Sequence, residues 1–207
     1  MTPGPHDGHA GHDRTPGYLV VGLSPPEQAP VDAPERSARY GAGAAAALRR
    51  VGATMTYLAR ANPARALVGD WRHVQAVVEQ YGSFTQILDF WSAPEYVAAR
   101  PHRQGLVEIG WIVALPGRPL GAGDPAPDGS PPAAYALLAG PGAAATSRAG
   151  VLADVGPEEM AVLEGTWPWP GRVVVERHPS RTEAEAAVAG AGPGVELALV
   201  LNGVPPA

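Results

Sequence analysis

Two glutamates occupy matching places in two similar stretches of this 207-residue chain, and each has a second titratable group two residues on. The first stretch, ALVGDWRHVQAVVEQYGS (residues 66–83), carries Glu79 and Tyr81. The second, VLEGTWPWPGRVVVERHPS (residues 162–180), carries Glu176 and His178. Positions two apart share one face of a β-strand. Enclosure raises the pKa of a carboxylate by desolvation, and a neighbouring His completes an acid–base pair near neutral pH. Proton transfer is the chemistry these residues suit, with Glu176, His178 and Glu79 as catalytic candidates. At a strand end the same glutamates can instead pair with Arg172 or Arg103 at a solvated rim.

Elements to position these groups can be read from local patterns. YLVVGL (residues 18–23) is an apolar run stopped by Pro25-Pro26, hence a strand. Residues 33–51 read as a helix, with Asp32 at the N-cap position and Gly52 at the stop. TMTYLAR and ALVGDW flank Asn62-Pro63 as the arms of a hairpin. Residues 74–81 alternate with a period of two, Ser83 opens a helix through FTQILDFW, APEYVAAR continues it after Pro94, and LVEIGWIVAL is a last strand. The order is β-α-β-β-α-β. It recurs in the second half: YALLAG, GVLADV with MAVLEGTW as a hairpin, RVVVERHPS, the helix RTEAEAAVAGA, and VELALVLNG. There the first helix is missing, since only about eight residues (141–148) separate the first two strands. Four segments follow: a tail (1–17), a first unit (18–116), a Pro/Gly linker (117–133) and a second, trimmed unit (134–207).

The run GDW at residues 69–71, the strand ending in Glu79, Ser83 and then FWSAPEYVAARPHRQG (residues 90–105) resemble a small branch of the dimeric α+β barrel superfamily. In that branch Gly-Asp-Trp precedes a strand ending in Glu-aromatic-Pro-Ser, and a later helix carries Ser-Pro-Glu-Tyr. Here Ala93 intrudes before Pro94, and the second half keeps EGTW, Glu176 and HPS but not the Pro-Glu-Tyr segment. The resemblance implies an α+β fold in which tandem ferredoxin-like β-α-β-β-α-β units close one intrachain barrel around a ligand cavity. Its relatives include antibiotic-biosynthesis monooxygenases, polyketide cyclases, isomerases and haem-using peroxidases.

On that architecture Val74, Ala76 and Val78 are expected to face the helices. Gln75, Val77, Glu79 and Tyr81, and in the second unit Arg172, Val174, Glu176 and His178, are expected to face the barrel interior. Tyr81, Gln75, Arg172, Trp71, Trp167 and Trp111 are the substrate-binding candidates. The five Trp residues line a pocket for a flat ligand or serve as ordinary packing. The Trp167-Pro168-Trp169-Pro170 stretch is unsuited to a regular strand and is expected to border a cavity mouth. His73 reads as a surface residue at a strand start and His102 as a cation complementing a helix end.

Several chemistries lack a motif. There is no Gly-rich phosphate loop, no His-Glu-x-x-His and no Gly-x-Ser-x-Gly. No Cys is present, so thiolate chemistry is excluded. His6, His9 and His12 lie in a Gly/Pro tail that preorganises no ligand set, so no metal and no cofactor is expected. A net charge of -5, with all fifteen basic residues Arg and no basic stripe, argues against nucleic acid. No apolar run has membrane-spanning length and the start lacks a signal-peptide pattern, so a cytoplasmic monomer or homodimer without membrane contact is expected. The function these residues suggest is a small-molecule enzyme of polyketide-like specialised metabolism, a cyclase, isomerase or cofactor-independent oxygenase acting on an apolar or polycyclic substrate. The alternative is a carrier that binds such a ligand unchanged.

Overall fold

Helix starts in this chain are set by local hydrogen bonding. A computed structural model describes residues 14–119, 134–146 and 150–204. Ser83 is extended and its hydroxyl accepts from the Gln86 N–H, while the Gln86 side chain accepts from the Ser83 N–H; this capping box opens α2 (Phe84–Ser92). Ser180 caps α4 (Arg181–Ala189) through the Glu183 N–H. Helix α1 (Ala33–Val51) starts with a Pro in its first turn and ends at Gly52, whose φ of 64° is the left-handed conformation that suits Gly. The Asp32 side chain does not cap it but pairs with Arg36 one turn on. Ala93, before Pro94, breaks the chain between α2 and α3 (Pro94–Arg103). Among the described residues no helix is long and apolar enough to cross a membrane.

The strands are β1 (Gly17–Ser24), β2 (Met55–Ala61), β3 (Ala66–Val68), β4 (Gln75–Tyr81), β5 (Glu108–Pro116), β6 (Ala134–Gly140), β7 (Val151–Val155), β8 (Ala161–Gly165), β9 (Arg172–His178) and β10 (Leu197–Gly203). They form one curled antiparallel sheet in the order β7-β9-β6-β10-β2-β4-β1-β5-β8, with β3 also on β10. Within residues 17–116 the order is β5-β1-β4-β2, and within residues 134–203 it is β10-β6-β9-β7. Both halves thus use the same permutation of their strands.

Neither expected hairpin closes. β3 leaves β2 and pairs with β10, and β8 leaves β7 and pairs with β5. Each half lends a strand to the other's edge, and a nearest-neighbour reading of turns cannot detect such an exchange. Two further links complete the junctions: β2 meets β10 at Arg60↔Asn202 and Ala59↔Gly203, and the Arg118 N–H donates to the Leu152 carbonyl.

The curl brings inner faces from both halves into one apolar cluster that includes Tyr18, Val20, Ala76, Val78, Val113, Leu137, Val173, Val175, Leu199 and Leu201. This corrects the expected orientation of β4 and β9. Ala76 and Val78 point into the shared core, whereas Val77 and Tyr81 lie with Phe84, Ile87 and Leu88 of α2. Likewise Val173 and Val175 point inward, and Val174 lies with Ala184 and Val188 of α4. Glu79, Tyr81, Glu176 and His178 therefore sit on the helix side. The alternation holds and its sense is reversed, because the shared core is packed with apolar side chains and leaves the polar groups beneath the helices. In the second half, residues 141–146 replace a first helix, and Ala143 packs against the sheet there. The His tail up to residue 13 and the linker from residue 120 to 133 lie outside the described residues.

Candidate functional site

Glu79 is placed by β4 between Leu19 of β1 and Tyr57 of β2. It is buried, and among the described residues no cation pairs with it. The Tyr81 hydroxyl donates to Glu79 Oε2 at 3.3 Å, and the half-exposed Tyr57 lies opposite Glu79 on β2, its phenol close enough to favour the carboxylate. Burial pushes the carboxyl up to about 7, against the smaller opposing pull of the two phenols. Burial, and then the charge of Glu79, raise Tyr81 and Tyr57, which therefore stay neutral donors.

A second layer braces this group. Tyr81 packs on Phe90, and Phe90 on Tyr96 with ring centroids 4.3 Å apart. The Tyr96 hydroxyl lies 3.4 Å from that of Tyr40 and accepts from Arg103 at 3.3 Å. Arg103, nearly buried, forks onto Glu164 of β8. The brace crosses from the first half to the second, so the rim pairing anticipated for Arg103 exists, with Glu164 in place of Glu79 or Glu176.

Glu176 has different surroundings although it holds the matching position four residues before a helix-capping Ser. It is fully buried, and its two carboxyl oxygens accept from the Thr146 N–H and from the Thr146 hydroxyl, the latter at 2.6 Å. His178 Nε2 lies 3.3 Å from Glu176 Oε2 without the alignment of a hydrogen bond. This carboxyl ties down the loop that stands where the first half has α1, a structural role. Glu176→Ala is expected to lower unfolding stability by roughly 2 to 4 kcal/mol, since it removes two bonds and strands two donors. Chemical denaturation measures it, and an unchanged midpoint would contradict the tether.

Trp71, Trp111, Trp167 and Trp169 converge on the opposite, inner side of the sheet. Trp71 and Trp169 are parallel within 4° at 6.1 Å, and Trp111 meets Trp71 and Trp167 edge-on at 5.5 and 4.6 Å. Trp111 and Trp169, with His73, Asp70 and Thr166, line a cleft of about 420 Å³. From the Trp-Pro-Trp-Pro stretch Pro168 and Trp169 line this cleft, while the barrel interior, where the cavity was expected, is packed with apolar side chains. His73 is not a plain surface residue: its ring packs against Trp71 and Trp111, and burial lowers its pKa. Its spatial partners come from distant residues, so local sequence gave no signal for it.

The remaining candidates scatter. Gln75 starts β4 half-buried opposite Leu23, Arg172 is exposed and paired with Asp154, and Trp91 lies under Arg100. The candidates thus fall into separate places instead of one cavity. Among the described residues no group of three or more His, Asp or Glu is arranged to hold a metal ion.

No match is found among curated proteins. A solved protein of unknown function from Rhodopseudomonas palustris, RPA0582, is similar at 20% identity over 48% of this chain and 82% of its own, with a TM-score of 0.33. A mutant chlorite dismutase from Candidatus Nitrospira defluvii is similar at 10% identity over 92% of each chain, with a TM-score of 0.48. Residues 27–116, which carry His73, Glu79 and Tyr81, match the family described as "Domain of unknown function (DUF1330)".

Proposed function

We propose that this chain is a small-molecule enzyme acting by proton transfer, with Glu79 as its acid–base group. The observation that carries the reading is a buried carboxyl that accepts from the Tyr81 hydroxyl and meets no cation among the described residues; its burial pushes the pKa up to about 7, within reach of acid–base work near neutral pH. Above pH 7 the carboxylate takes a proton from an acidic C–H and leaves an enolate; the resulting carboxylic acid returns that proton to the same or another carbon. Tyr81 holds the carboxyl in place, and the half-exposed Tyr57 links it to the surface. Isomerase and cyclase chemistry both reduce to this exchange. A polyketide-like substrate, a cytoplasmic setting and a monomeric or dimeric state belong to the same proposal. So does the origin of the fold as two fused ferredoxin-like units, which the repeated strand permutation supports.

The test is deuterium uptake from D2O into a panel of cyclic and fused-ring 1,3-diketones, followed by NMR. The protein is expected to accelerate uptake into at least one member, with a rate rising through about pH 7. Glu79→Gln is expected to lower that acceleration ~100- to 10,000-fold. Equal rates in the two proteins would remove Glu79 from the chemistry. Saturable binding with no uptake would favour the carrier.

A further inference from the structure

We propose that the substrate of Glu79 carries a carboxylate and that Arg60 holds it on the outer face of the sheet beside Tyr57; the inference rests on the proton-transfer reading of Glu79. The two halves differ at this place. β2 bulges between Tyr57 and Ala59, and β7 bulges between Val151 and Ala153. Arg60 then pairs with Val77 of β4 as Asp154 pairs with Val174 of β9, so the two hold matching positions. Two residues before each valine stand Gln75 and Arg172. In the second half every such group is used up: Arg172 pairs with Asp154 at 2.7 Å, Val151 in the place of Tyr57 is buried, and Glu176 is tied to Thr146. The first half leaves the same places open. Arg60 is exposed and has no ion pair or side-chain hydrogen bond among the described residues, the residue in the place of its partner is the neutral Gln75, and Tyr57 is 52% exposed.

The bulge sets the placement. Leu58, Ala59 and Ala61 all turn into the shared core, which leaves Tyr57 and Arg60 on the outer face, the face of Val77 and Glu79. Tyr57 lies opposite Glu79, and Arg60 lies opposite Val77, one same-face step and roughly 7 Å further along the strand. Beyond Arg60, β10 brings Asn202, whose side chain accepts from Arg181, itself paired with Glu185. The strip thus runs from a carboxyl suited to proton transfer, past an open phenol, to a guanidinium without a counterion.

This order of groups selects the ligand. A guanidinium presents a planar fork of donors that matches a carboxylate. One unpaired guanidinium answers one negative charge, which favours a carboxylate over a dianionic phosphate. The Tyr57 ring offers an apolar surface between the two ends. A flat ketone with its acidic C–H at one end and a carboxylate at the other fits this sequence of partners.

The probe is 1-tetralone-6-carboxylate, with its methyl ester as the neutral control. Arg Nε–H resonances of 15N-labelled protein report binding, the Arg60 signal being assigned with Arg60→Gln. The carboxylate is expected to shift that signal saturably and to bind about tenfold or more tighter than the ester. Arg60→Gln is expected to abolish the preference and Arg60→Lys to restore part of it, while Arg49→Gln, which removes another exposed arginine, leaves it intact. Each variant is checked for an unchanged melt. Deuterium uptake at the carbon beside the ketone is read separately. Glu79→Gln is expected to keep the preference and lose the uptake, so Arg60-dependent binding without uptake in the unaltered protein would overturn the acid–base reading alone and support the Arg60 seat. No saturable shift at Arg60, equal affinities for acid and ester, or a preference lost equally in Arg49→Gln would overturn the proposal.

Discussion

Glu79→Gln is expected to stabilise the protein at pH 8 by about 3 kcal/mol and to leave stability near pH 4 almost unchanged. The folded state raises this carboxyl from 4.5 to about 7. It therefore binds its proton more tightly when folded. The stability linked to that proton is fully present below pH 4.5 and is lost as the pH rises through about 7, where folding must retain an ionised carboxylate that burial disfavours. Glutamine keeps a similar shape and never ionises. Urea unfolding of both proteins at pH 4, 6 and 8 isolates the effect, because groups that titrate alike in the two cancel in the difference. A difference that does not change with pH would show that Glu79 is not held in its proton-loving environment. Retention of a group that weakens the fold at neutral pH is what a working acid–base residue requires.

The second large effect concerns the halves. Residues 134–207 expressed alone are expected to show no cooperative melting transition, whereas the whole chain melts as one unit. Leu137, Val173, Val175, Leu199 and Leu201 are fully buried in a cluster shared with the first half. Each exposed by separation forfeits roughly 1.5–3 kcal/mol, together comparable with the whole ~5–15 kcal/mol stability of a domain. The cut also strips β10 of β2 and β3, and β8 of β5, leaving open edges that invite aggregation. Circular dichroism and near-UV melts decide the matter: a soluble second half with a sharp transition would sink the prediction. Mixing it with residues 1–125 is expected to restore the melt.

Local rules placed the strands and the capped helices because Ser83, Gln86, Ser180 and Gly52 act within a few residues of themselves. Alternation correctly grouped Glu79 with Tyr81 and Glu176 with His178. It carries no sign, however: a period of two says which residues share a face and not what covers it. Both faces of β4 and β9 are covered here, one by helices and one by the inner face of the same curled sheet, so hydropathy could not choose between them. Strand partners were misread for the same reason of distance. β3 meets β10 more than a hundred residues on, and no turn chemistry encodes that meeting. Thr146, which donates twice to Glu176, is thirty residues from it, and Gly22 and Gly110, which approach His73 closely, are fifty-one and thirty-seven away.

The bond from Arg103 to Glu164 joins a helix of one half to a strand of the other, and it changes what a lineage of such proteins can explore. On the proposed duplication, an assembly of two identical chains would carry every substitution twice, once on each side. A single continuous chain lifts that constraint. Position 176 was free to become an anchor for a shortened loop while position 79 kept an ionisable group among phenols, and position 164 was free to serve its neighbour's helix. On the proposed function one half is released from chemistry and serves the fold of the other, and random mutagenesis is expected to find the two halves tolerant in different ways.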